Sequence, residues 1–356
     1  MTMAAVETAA PPGRALPGFD PAQVRRVLVI RNDNIGDVLC TTPALAALRR
    51  RSPTAHVAIL VASYSREALA GNPDVDEVLA YTKHKHRADG RRLAAWRELA
   101  RVFAGVRARR YDVAVAMRAH FTGSLGWLAF LSGAPVRIGY APPPRHPLRF
   151  SITHPIPLPA GPAHEVERCL RLLEPLGVRD ERPALVLARD AAAEAAMGES
   201  LRRRGAPAGG PLVALHVSSR RANRWPADRF AALGDWAAAR GATVVLLEPP
   251  GEAEAVRAVG EKMAYRPVVQ PTRSLGELAA CLAQCRLCVC CDGGAMHVAA
   301  AVGTPTVAIF GAADPRRWAP WGAGHRVLWR DGIAEAVTLE EARQAVAEAW
   351  DGGAAA

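Results

Sequence analysis

The 356-residue chain is poor in lysine and in aromatic side chains. Only Lys83, Lys85 and Lys262 are lysines among its 45 basic residues, so arginine supplies almost all of the formal net charge of +11. The charge alone permits nucleotide phosphates, acidic lipids or nucleic acid as partners. Aromatic residues make up 6% of the chain, too few for many base-stacking platforms, and no nucleic-acid recognition motif is present. We therefore expect no nucleic-acid partner.

The sequence also lacks a convincing membrane span. Its longest uncharged run covers residues 293–313, but Gly293-Gly294 and Gly303-Thr304-Pro305 interrupt it. Residues 1–22 are rich in alanine and proline and lack the basic start and apolar core of a signal peptide. We expect these residues to form a disordered tail and the protein to be cytoplasmic.

Two further absences exclude classes of protein. Seven cysteines are present, five of them between Cys281 and Cys291. Cys285 and Cys288 have the C-x2-C spacing of zinc ligands, but these five cysteines fall on a predicted helix and strand and not on the turns that usually supply such ligands. We expect buried, reduced, structural cysteines and no metal site. The pattern G-x-G-x-x-G is missing after the first predicted strand, which disfavours a nicotinamide-dependent dehydrogenase.

Short apolar strands alternate with helices through the rest of the chain, which is typical of parallel sheets covered by helices on both faces. One set of strands starts at residues 27–31 and a second at 212–217. A proline-rich stretch at 141–163 and a linker at 177–183 separate the sets. We predict two domains, 23–178 and 179–335, and a last helix at 338–350 that is a candidate to pack back on the first domain.

The stretch from residue 287 to 315 predicts a strand, a glycine turn, a small-residue helix and a second strand. Such a turn leaves backbone N–H groups and the positive end of the helix dipole facing one point, which suits a phosphate. Asp292 is expected at the helix cap, where it could accept helix N–H groups or bind sugar hydroxyls. His297, on the same helix, could face the same ligand.

A similar unit lies near the start of the chain. Residues 27–31 predict a buried strand, 32–37 a polar turn and 38–51 an amphipathic helix. Asp37 thus reaches the carboxyl edge of a parallel sheet, where ligands bind in such folds. Its alternative role is to favour the helix N-terminus electrostatically.

The loop at 218–226 joins two hydroxyl residues to three arginines after another predicted strand. Because guanidinium groups match phosphate oxygens, this loop could clamp a diphosphate, although each arginine could also be a surface residue. The basic run at 83–87 is either an exposed charge run or an acceptor-facing rim. The uncharged run at 121–136, with Trp127 and Phe130, predicts a core helix and is a candidate for contact with a membrane surface.

Three of these motifs, in this order, resemble the signatures of glycosyltransferase family 9, the heptosyltransferases of lipopolysaccharide inner-core synthesis. The motifs are I-R-N-D-N-I-G-D-V-L-C-T-T-P-A-L at 30–45, S-S-R-R-A-N-R-W-P at 218–226 and D-G-G-A-M-H-V-A-A-A-V-G-T-P-T-V-A-I-F-G-A-A-D-P at 292–315. The resemblance implies a GT-B architecture, in which two Rossmann-like, doubly wound α/β domains face each other across a cleft. It places the acceptor on the first domain and a nucleotide-diphosphate sugar on the second.

The resemblance also implies residue roles. Asp37 matches the general base of an inverting transfer that needs no metal and no cofactor beyond the sugar nucleotide. The implied donor-binding residues are Gly36, Ser218, Ser219, Arg220, Arg224, Glu252, Asp292, Gly293, Gly294, Met296 and His297, with Glu252 at the ribose. The acceptor-side candidates are Lys83, Lys85, Arg118 and His120. The chain departs from the family pattern at Asn223, where many members have lysine, and at Glu248-Pro249-Pro250, where a glycine pair is usual.

The expected function is therefore transfer of a sugar, with ADP-heptose as a candidate donor, to a glycan, a lipid-linked or a small-molecule acceptor. Peripheral contact with the inner face of the plasma membrane is left open, as is the oligomeric state. The alternative function is a catalytically silent sugar-nucleotide-binding protein, since Asn223 removes a cation of the family pattern. The intact Gly36-Asp37 pair speaks against this alternative.

Overall fold

The computed structural model of the chain describes residues 20–83, 92–179, 182–219 and 223–352. Within these ranges the strands form two six-stranded, entirely parallel sheets. We call the described residues up to 179 the first half and those from 182 onward the second half. Each half contains one of the sheets.

The first half has strands β1 (Arg26–Arg31), β2 (His56–Ala62), β3 (Glu77–Tyr81), β4 (Val113–Ala116), β5 (Val136–Tyr140) and β6 (His154–Ile156). Its helices are α1 (Ile35–Leu39), α2 (Thr42–Arg51), α3 (Arg92–Ala108), α4 (Gly123–Leu131) and α5 (Glu165–Arg171). Short 3-10 helices cover Pro21–Gln23, Ser63–Leu69, Arg149–Ser151 and Glu174–Leu176. The strand order is β3-β2-β1-β4-β5-β6.

The second half has strands β7 (Leu212–His216), β8 (Thr243–Glu248), β9 (Val268–Pro271), β10 (Leu287–Cys291), β11 (Thr306–Phe310) and β12 (Arg326–Trp329). Its helices are α6 (Ala191–Arg203), α7 (Ala227–Ala238), α8 (Ala253–Gly260), α9 (Leu275–Leu282), α10 (Gly294–Ala301), α11 (Pro315–Trp318) and α12 (Leu339–Gly352), and Ala334–Ala336 is a 3-10 helix. The strand order, β12-β11-β10-β7-β8-β9, repeats that of the first sheet.

The central strands are uninterrupted apolar runs because helices cover both faces of each sheet. In β1, Val27 to Ile30 are fully buried, and Val29 is in register with Ile59 on one side and Val115 on the other. β10 and β11 are likewise buried along their whole length. This arrangement confirms the predicted pair of doubly wound α/β sheets.

Each sheet has one point where the order of strands reverses. In the first sheet this switch point lies between β1 and β4, and in the second between β7 and β10. Loops that leave the carboxyl ends of these neighbouring strands diverge to opposite faces, and the crevice between them is the usual ligand site of open parallel sheets. The loops that carry Asp37 and Asp292 both start at such a point.

The two halves are in direct contact. One buried cluster contains Leu39 and Leu45 of the first half together with Met296 and Val298 of the second. Away from this cluster, the backbone N–H of Gly276 donates a 2.8 Å hydrogen bond to the Glu67 carboxylate. The boundary at residue 178 stays a prediction, since the sheets themselves divide somewhere between β6 and β7.

The last helix does not pack back on the first domain, so that prediction is wrong. Apolar residues at helical spacing in α12 form one stripe, and this stripe lies in the buried cluster of the second sheet with residues such as Val213 and Ile309. The stripe consists of Ala342, Ala345, Val346 and Ala349. A helix buries its apolar stripe against the nearest matching surface, and here that surface is the sheet of its own half.

The helix predicted at 38–51 is also divided in two. It ends as α1 at Leu39 and restarts as α2, with Pro43 at the second helical position of α2. Proline has no N–H to continue a helical ladder but is well suited to a first turn, so the chain bends at Cys40 and Thr41.

In the described ranges, none of the helices combines the length and apolar character that crossing a membrane requires.

Candidate active site

Asp37 lies on the first turn of α1, directly after the loop that leaves β1. Its Oδ1 accepts a 2.8 Å hydrogen bond from Nη2 of Arg31, and its Oδ2 accepts one of 3.2 Å from the backbone N–H of Asn34. The side chain is 16% exposed. Because an ionised carboxylate has about four lone-pair positions, Asp37 is fixed in place and can still accept a hydrogen bond from a substrate hydroxyl.

Arg31, the last residue of β1, has a completely buried side chain. Its Nη2 donates to both Asp37 and Glu165 at 2.8 Å, and its Nη1 donates to the carbonyl of Met117 at 3.0 Å. Burial lowers the pKa of Arg31, but the surrounding carboxylates, Glu165 foremost, outweigh burial and bring the pKa well above its ordinary value. Arg31 is thus a permanent cation beneath Asp37.

Glu165, at the start of α5, is a second fully buried carboxylate. Its Oε1 accepts from Arg31, and its Oε2 accepts a 2.9 Å hydrogen bond from Nε of Arg317, which belongs to α11 of the second half. Burial raises the pKa of Glu165, but Arg31 and then Arg317 outweigh burial and lower the pKa below its usual value. One ionised group therefore joins the two halves directly behind Asp37.

Two of the acceptor-side candidates lie at the same switch point. Arg118 follows β4, and its Nη1 lies 3.1 Å from Oδ1 of Asp33, whose Oδ2 in turn lies 3.3 Å from Nε of Arg31. His120 is exposed, and partial burial together with the charge of Arg118 lowers its pKa. The cation of Arg118 is therefore connected to Asp37 through only two side chains.

A third acceptor-side candidate, Lys83, lies beside the loop that precedes α1. Its Nζ is 5.9 Å from the centre of the Tyr64 ring, and the Tyr64 hydroxyl donates to the carbonyl of Asp33 at 2.8 Å. Lys85, the fourth candidate, lies outside the described residues. Lys83 and Arg118 thus approach the Asp37 loop from different strands.

Asp292 follows β10 and is 8% exposed. Its Oδ2 accepts a 2.9 Å hydrogen bond from Nδ2 of Asn223, and its backbone carbonyl accepts one of 2.9 Å from the Ser219 hydroxyl. The cap of α10 is Gly293, so the prediction that Asp292 caps this helix is wrong. The reason is that the Asn223 amide holds the carboxylate toward the loop that follows β7.

Asn223 occupies the position at which the family resemblance expects a lysine. It is 6% exposed, and besides donating to Asp292 its Oδ1 accepts a 3.1 Å hydrogen bond from the backbone N–H of Ala312. The asparagine thus connects the loops after β7, β10 and β11. A lysine could make only the first of these bonds, because an ammonium group has no acceptor.

Two predicted donor residues are paired with each other. Nη2 of Arg224 lies 2.9 Å from Oε2 of Glu252, and Nε of Arg224 donates to the carbonyl of Ser219 at 2.7 Å. Ser218 is nine-tenths buried, and its hydroxyl has no hydrogen-bond partner among the described atoms. Arg220 lies outside the described ranges. The loops after β7 and β8 are therefore joined at the rim of the second switch point.

The residues that open α10 divide into two kinds. A Cβ built on Gly293 or Gly294 would meet none of the described atoms within 4 Å, so the approach to the helix N-terminus is open. Met296 is fully buried in the main core cluster. Its side chain therefore packs in the core, and its donor-binding role stays a prediction.

His297 faces the first half. A Cβ built on Gly36 would lie 2.7 Å from Cδ2 of His297, and Nδ1 of His297 is 3.6 Å from the Cys40 sulfur. Burial lowers the pKa of His297 to about 4. Gly36 and His297 were both predicted as donor residues, and the structure places them against each other where α1 meets α10. This contact holds the loops of Asp37 and Asp292 side by side.

All seven cysteines are buried and free, which confirms that they are structural. Across the described ranges, no group of three or more His, Cys, Asp or Glu side chains has the arrangement of a metal site. Burial raises the pKa of Cys291 to about 12, so this thiol stays protonated. The absence of a metal requirement remains a prediction.

Sequence reasoning assigned no role to Arg31, Glu165 or Arg317. Arg31 had one visible signal, a charged residue at the end of an otherwise apolar strand, immediately before the Asp37 turn. Glu165 and Arg317 had none, because an acidic residue that opens a helix and one arginine of a pair are ordinary surface patterns.

The structure has two doubly wound α/β domains, each with a polar cluster at its switch point. The domains contact each other beside these two clusters. This arrangement defines a protein of the GT-B class. The sequence profile of glycosyltransferase family 9 (heptosyltransferase) matches residues 99–345. The chain therefore belongs to glycosyltransferase family 9, as its motifs indicated, and is a glycosyltransferase.

Individual relatives agree with this assignment. The Escherichia coli protein named lipopolysaccharide heptosyltransferase 3 is 28% identical over 313 residues, which cover 86% of this chain and 89% of the relative. A family 9 glycosyltransferase structure from Veillonella parvula has a TM-score of 0.82 and 24% identity, covering 94% of this chain and 100% of that one. The E. coli heptosyltransferase WaaC, solved with ADP-2-deoxy-2-fluoro heptose, has a TM-score of 0.70 and 23% identity, with 91% and 99% coverage.

Proposed function

We propose that the protein is an inverting glycosyltransferase that moves a heptose from ADP-heptose to a hydroxyl of a lipopolysaccharide core acceptor. The donor is suggested by the solved E. coli relative, whose ligand is a fluorinated ADP-heptose. The acceptor is suggested by the name of the E. coli relative in sequence. The observation that carries the proposal is Asp37, a carboxylate fixed by Arg31 at the first switch point and adjacent to the open N-terminus of α10.

In the proposed reaction Asp37 is the general base. The acceptor hydroxyl donates a hydrogen bond to the carboxylate, which takes the proton as the oxygen forms a bond to the anomeric carbon. On the opposite face, the bond between the anomeric carbon and the phosphate oxygen breaks, and ADP leaves with the electron pair. Attack opposite the leaving group inverts the anomeric configuration.

The second half supplies the donor side of this proposal. Backbone N–H groups at Gly293 and Gly294 would bind the diphosphate, whose charge grows as it leaves, and would stabilise it without a metal ion. Asp292, oriented by Asn223, would accept hydrogen bonds from sugar hydroxyls. Glu252 would bind the ribose hydroxyls, and Arg224, 41% exposed beside it, would reach the phosphates.

The Asp37→Asn variant tests the base. The amide is nearly isosteric but cannot take a proton, so we expect kcat to fall by about 10²–10⁴-fold with little change in the dissociation constant of ADP-heptose. The measurements are ADP release, the anomeric configuration of the product by NMR, and donor binding by calorimetry. Asp228→Asn, an exposed carboxylate at the start of α7, is the matched control.

The outcomes separate the candidate functions. Full activity of Asp37→Asn would show that Asp37 is not the general base. Wild-type protein that binds ADP-heptose but transfers to no core acceptor would favour the sugar-nucleotide-binding alternative. Retention of the anomeric configuration would exclude a single inverting displacement.

We also propose that the first half docks on the anionic inner face of the plasma membrane. Trp127, Phe130 and Phe150, which we call the aromatic triad, are 46%, 38% and 51% exposed and contact one another edge to face. Residues 113–164 contain no acidic residue and four arginines: Arg118, Arg137, Arg145 and Arg149. Exposed aromatic rings among cations fit an interface of acidic headgroups.

Vesicle co-sedimentation tests this docking. We expect the wild type to bind phosphatidylglycerol vesicles more strongly than phosphatidylcholine vesicles, and a variant with the triad changed to serine to lose most of this binding while keeping activity on a soluble acceptor. Tyr265→Ser removes an aromatic ring that is 51% exposed in the second half and should bind as the wild type does. Equal binding by the triad variant would contradict the proposal.

A further inference from the structure

We infer that Arg317, in the second half, positions the base Asp37 in the first half by acting through Glu165 and Arg31. This inference rests on the proposed function of Asp37. It assigns Arg317, Glu165 and Arg31 as positioning residues, because each is hydrogen-bonded to the base Asp37 or to another of these three residues. The three form a continuous line of charge-assisted hydrogen bonds that ends at the carboxylate.

The first step is the pairing of Glu165 on both sides. Its Oε1 is held by Arg31 and its Oε2 by Arg317, at 2.8 Å and 2.9 Å, and no part of its side chain is exposed. A buried carboxylate that loses one of two such partners has unsatisfied acceptor capacity and no water to fill it. It will then attract its remaining partner more strongly.

The second step is that the remaining partner is shared with the base. The same nitrogen of Arg31, Nη2, donates to Glu165 and to Asp37, both at 2.8 Å. If Glu165 draws this nitrogen toward itself, the bond to Asp37 lengthens. The base would then be held only by the backbone N–H of Asn34, at 3.2 Å.

The third step is that Arg317 is delivered by the contact between the halves. Its guanidinium lies 4.6 Å from the centre of the Trp318 ring, and that ring stands edge-on to His297, 6.3 Å away. In the residue after Trp318, the backbone carbonyl of Ala319 is 2.9 Å from Nε2 of His164, which belongs to the first half. Arg317 can therefore reach Glu165 only when α10 and α11 are seated on the first half.

These steps make the orientation of the base depend on the closed arrangement of the two halves. The donor binds on the second half in the proposed function, so the base is aligned when the donor half is docked. The residues that bind ADP-heptose are not part of this chain of contacts. Loss of Arg317 should therefore affect the rate of transfer and leave donor binding nearly unchanged.

The Arg317→Met variant is the decisive test. Because misplacement of a catalytic group by about 1 Å can cost about 100-fold in rate, we expect kcat to fall by about that factor, with KM for ADP-heptose and for acceptor changed less than about threefold. Arg317→Lys, which can still pair with Glu165, should recover most of the loss. Arg316→Met is the matched control, since Arg316 directly precedes Arg317 and its guanidinium pairs with the exposed Asp314.

A double-variant experiment tests the path. If Arg317 acts through Glu165, then Arg317→Met combined with Glu165→Gln should lose no more activity than the worse single variant. Multiplying losses would overturn the path, and a donor dissociation constant raised more than about tenfold in Arg317→Met would show direct donor binding instead. Failure of the wild type to transfer any sugar would instead refute the proposed function. Thermal unfolding confirms that each variant is folded, and Arg317, 30% exposed, is a mild site for substitution.

Discussion

The two switch points have the same strand order, but among the described residues their carboxylates have different partners. Asp37 rests on Arg31, a buried cation, whereas Asp292 rests on the neutral amide of Asn223. At the first switch point the cation is enclosed together with a second carboxylate, Glu165. At the second, Arg224 is 41% exposed and pairs with Glu252 at the rim.

This difference fits two different tasks. A base must be held in one position for the acceptor hydroxyl, and a buried guanidinium holds it by a strong charge-assisted hydrogen bond. A carboxylate that binds sugar hydroxyls needs a fixed orientation, which a neutral amide supplies without competing for the charge. Cations at the exposed rim remain within reach of a diphosphate.

The largest expected effect comes from removing the buried cation. Arg31→Met leaves Asp37, Asp33 and Glu165 without their common partner, and breaking a buried ion pair on one side costs about 3–5 kcal/mol of unfolding free energy. We expect this loss in urea titration together with loss of transfer. If the loss were below about 1 kcal/mol, the buried Arg31 would stabilise the first switch point no more than an exposed ion pair does.

Two matched arginines serve as controls for this variant. Arg49 pairs with Asp76 and Arg224 pairs with Glu252, and the partners in both pairs are 20–41% exposed. An exposed pair such as Arg224–Glu252 contributes about 0–1 kcal/mol, so Arg224→Met should have a small effect on stability. Arg49→Met also loses hydrogen bonds to the carbonyls of Pro53 and Ala55, so its effect should lie between those of Arg224→Met and Arg31→Met. Only Arg224→Met should weaken donor binding.

A second prediction concerns the contact that lies between the two switch points. His297 has a pKa of about 4 because it is buried, below its ordinary value. A histidine with a lowered folded-state pKa is protonated first in the unfolded chain, so stability is lost as the pH falls from about 6.5 to about 4. This residue should account for about 3 kcal/mol of that loss.

Comparing the wild type with His297→Gln isolates this contribution. Urea titrations at a series of pH values should show a flatter dependence for the variant between about pH 6.5 and 4. At pH 8 the difference between the two proteins reports the contacts of the neutral ring with Gly36, Cys40 and Trp318. Equal slopes in acid would show that His297 is solvated when the halves dock.

Sequence alone was sufficient for the strands and loops of both switch points. β1 and β10 are apolar runs followed at once by polar turns, a pattern that specifies a buried parallel strand and the position of its carboxyl end. The pairing behind Asp37 could not be predicted, because Glu165 is 134 residues from Arg31 and 152 from Arg317. Only the folded arrangement of both halves brings these residues together.

Two of the strands that sequence reasoning missed have weak patterns. β6 contains Pro155, and β12 has four residues of alternating exposure, and both lie at a sheet edge, where pairing on one side is enough. For α12 the apolar stripe was legible, but a stripe does not say which sheet it covers. The burial of Met296 was not legible for a similar reason, since α10 is apolar nearly all round.

The smallest expected effect comes from the Asn223 amide at the second switch point. Asn223→Ala removes the donor to Asp292 and the acceptor for the N–H of Ala312, which should cost about 1–2 kcal/mol of unfolding free energy. Since Asp292 would lose its fixed orientation, we expect the dissociation constant of ADP-heptose, measured by calorimetry, to rise about tenfold.

Asn72→Ala is the matched control for this variant. Asn72 is also 6% exposed, and its Oδ1 accepts from the backbone N–H of Asp74 in the first half, away from both switch points. A similar loss of stability with unchanged donor affinity is expected. If both variants weakened donor binding equally, the effect of Asn223 would be general destabilisation. If Asn223→Lys bound the donor more tightly than the wild type, orientation by a neutral amide would be refuted and a cation would be the better partner for Asp292.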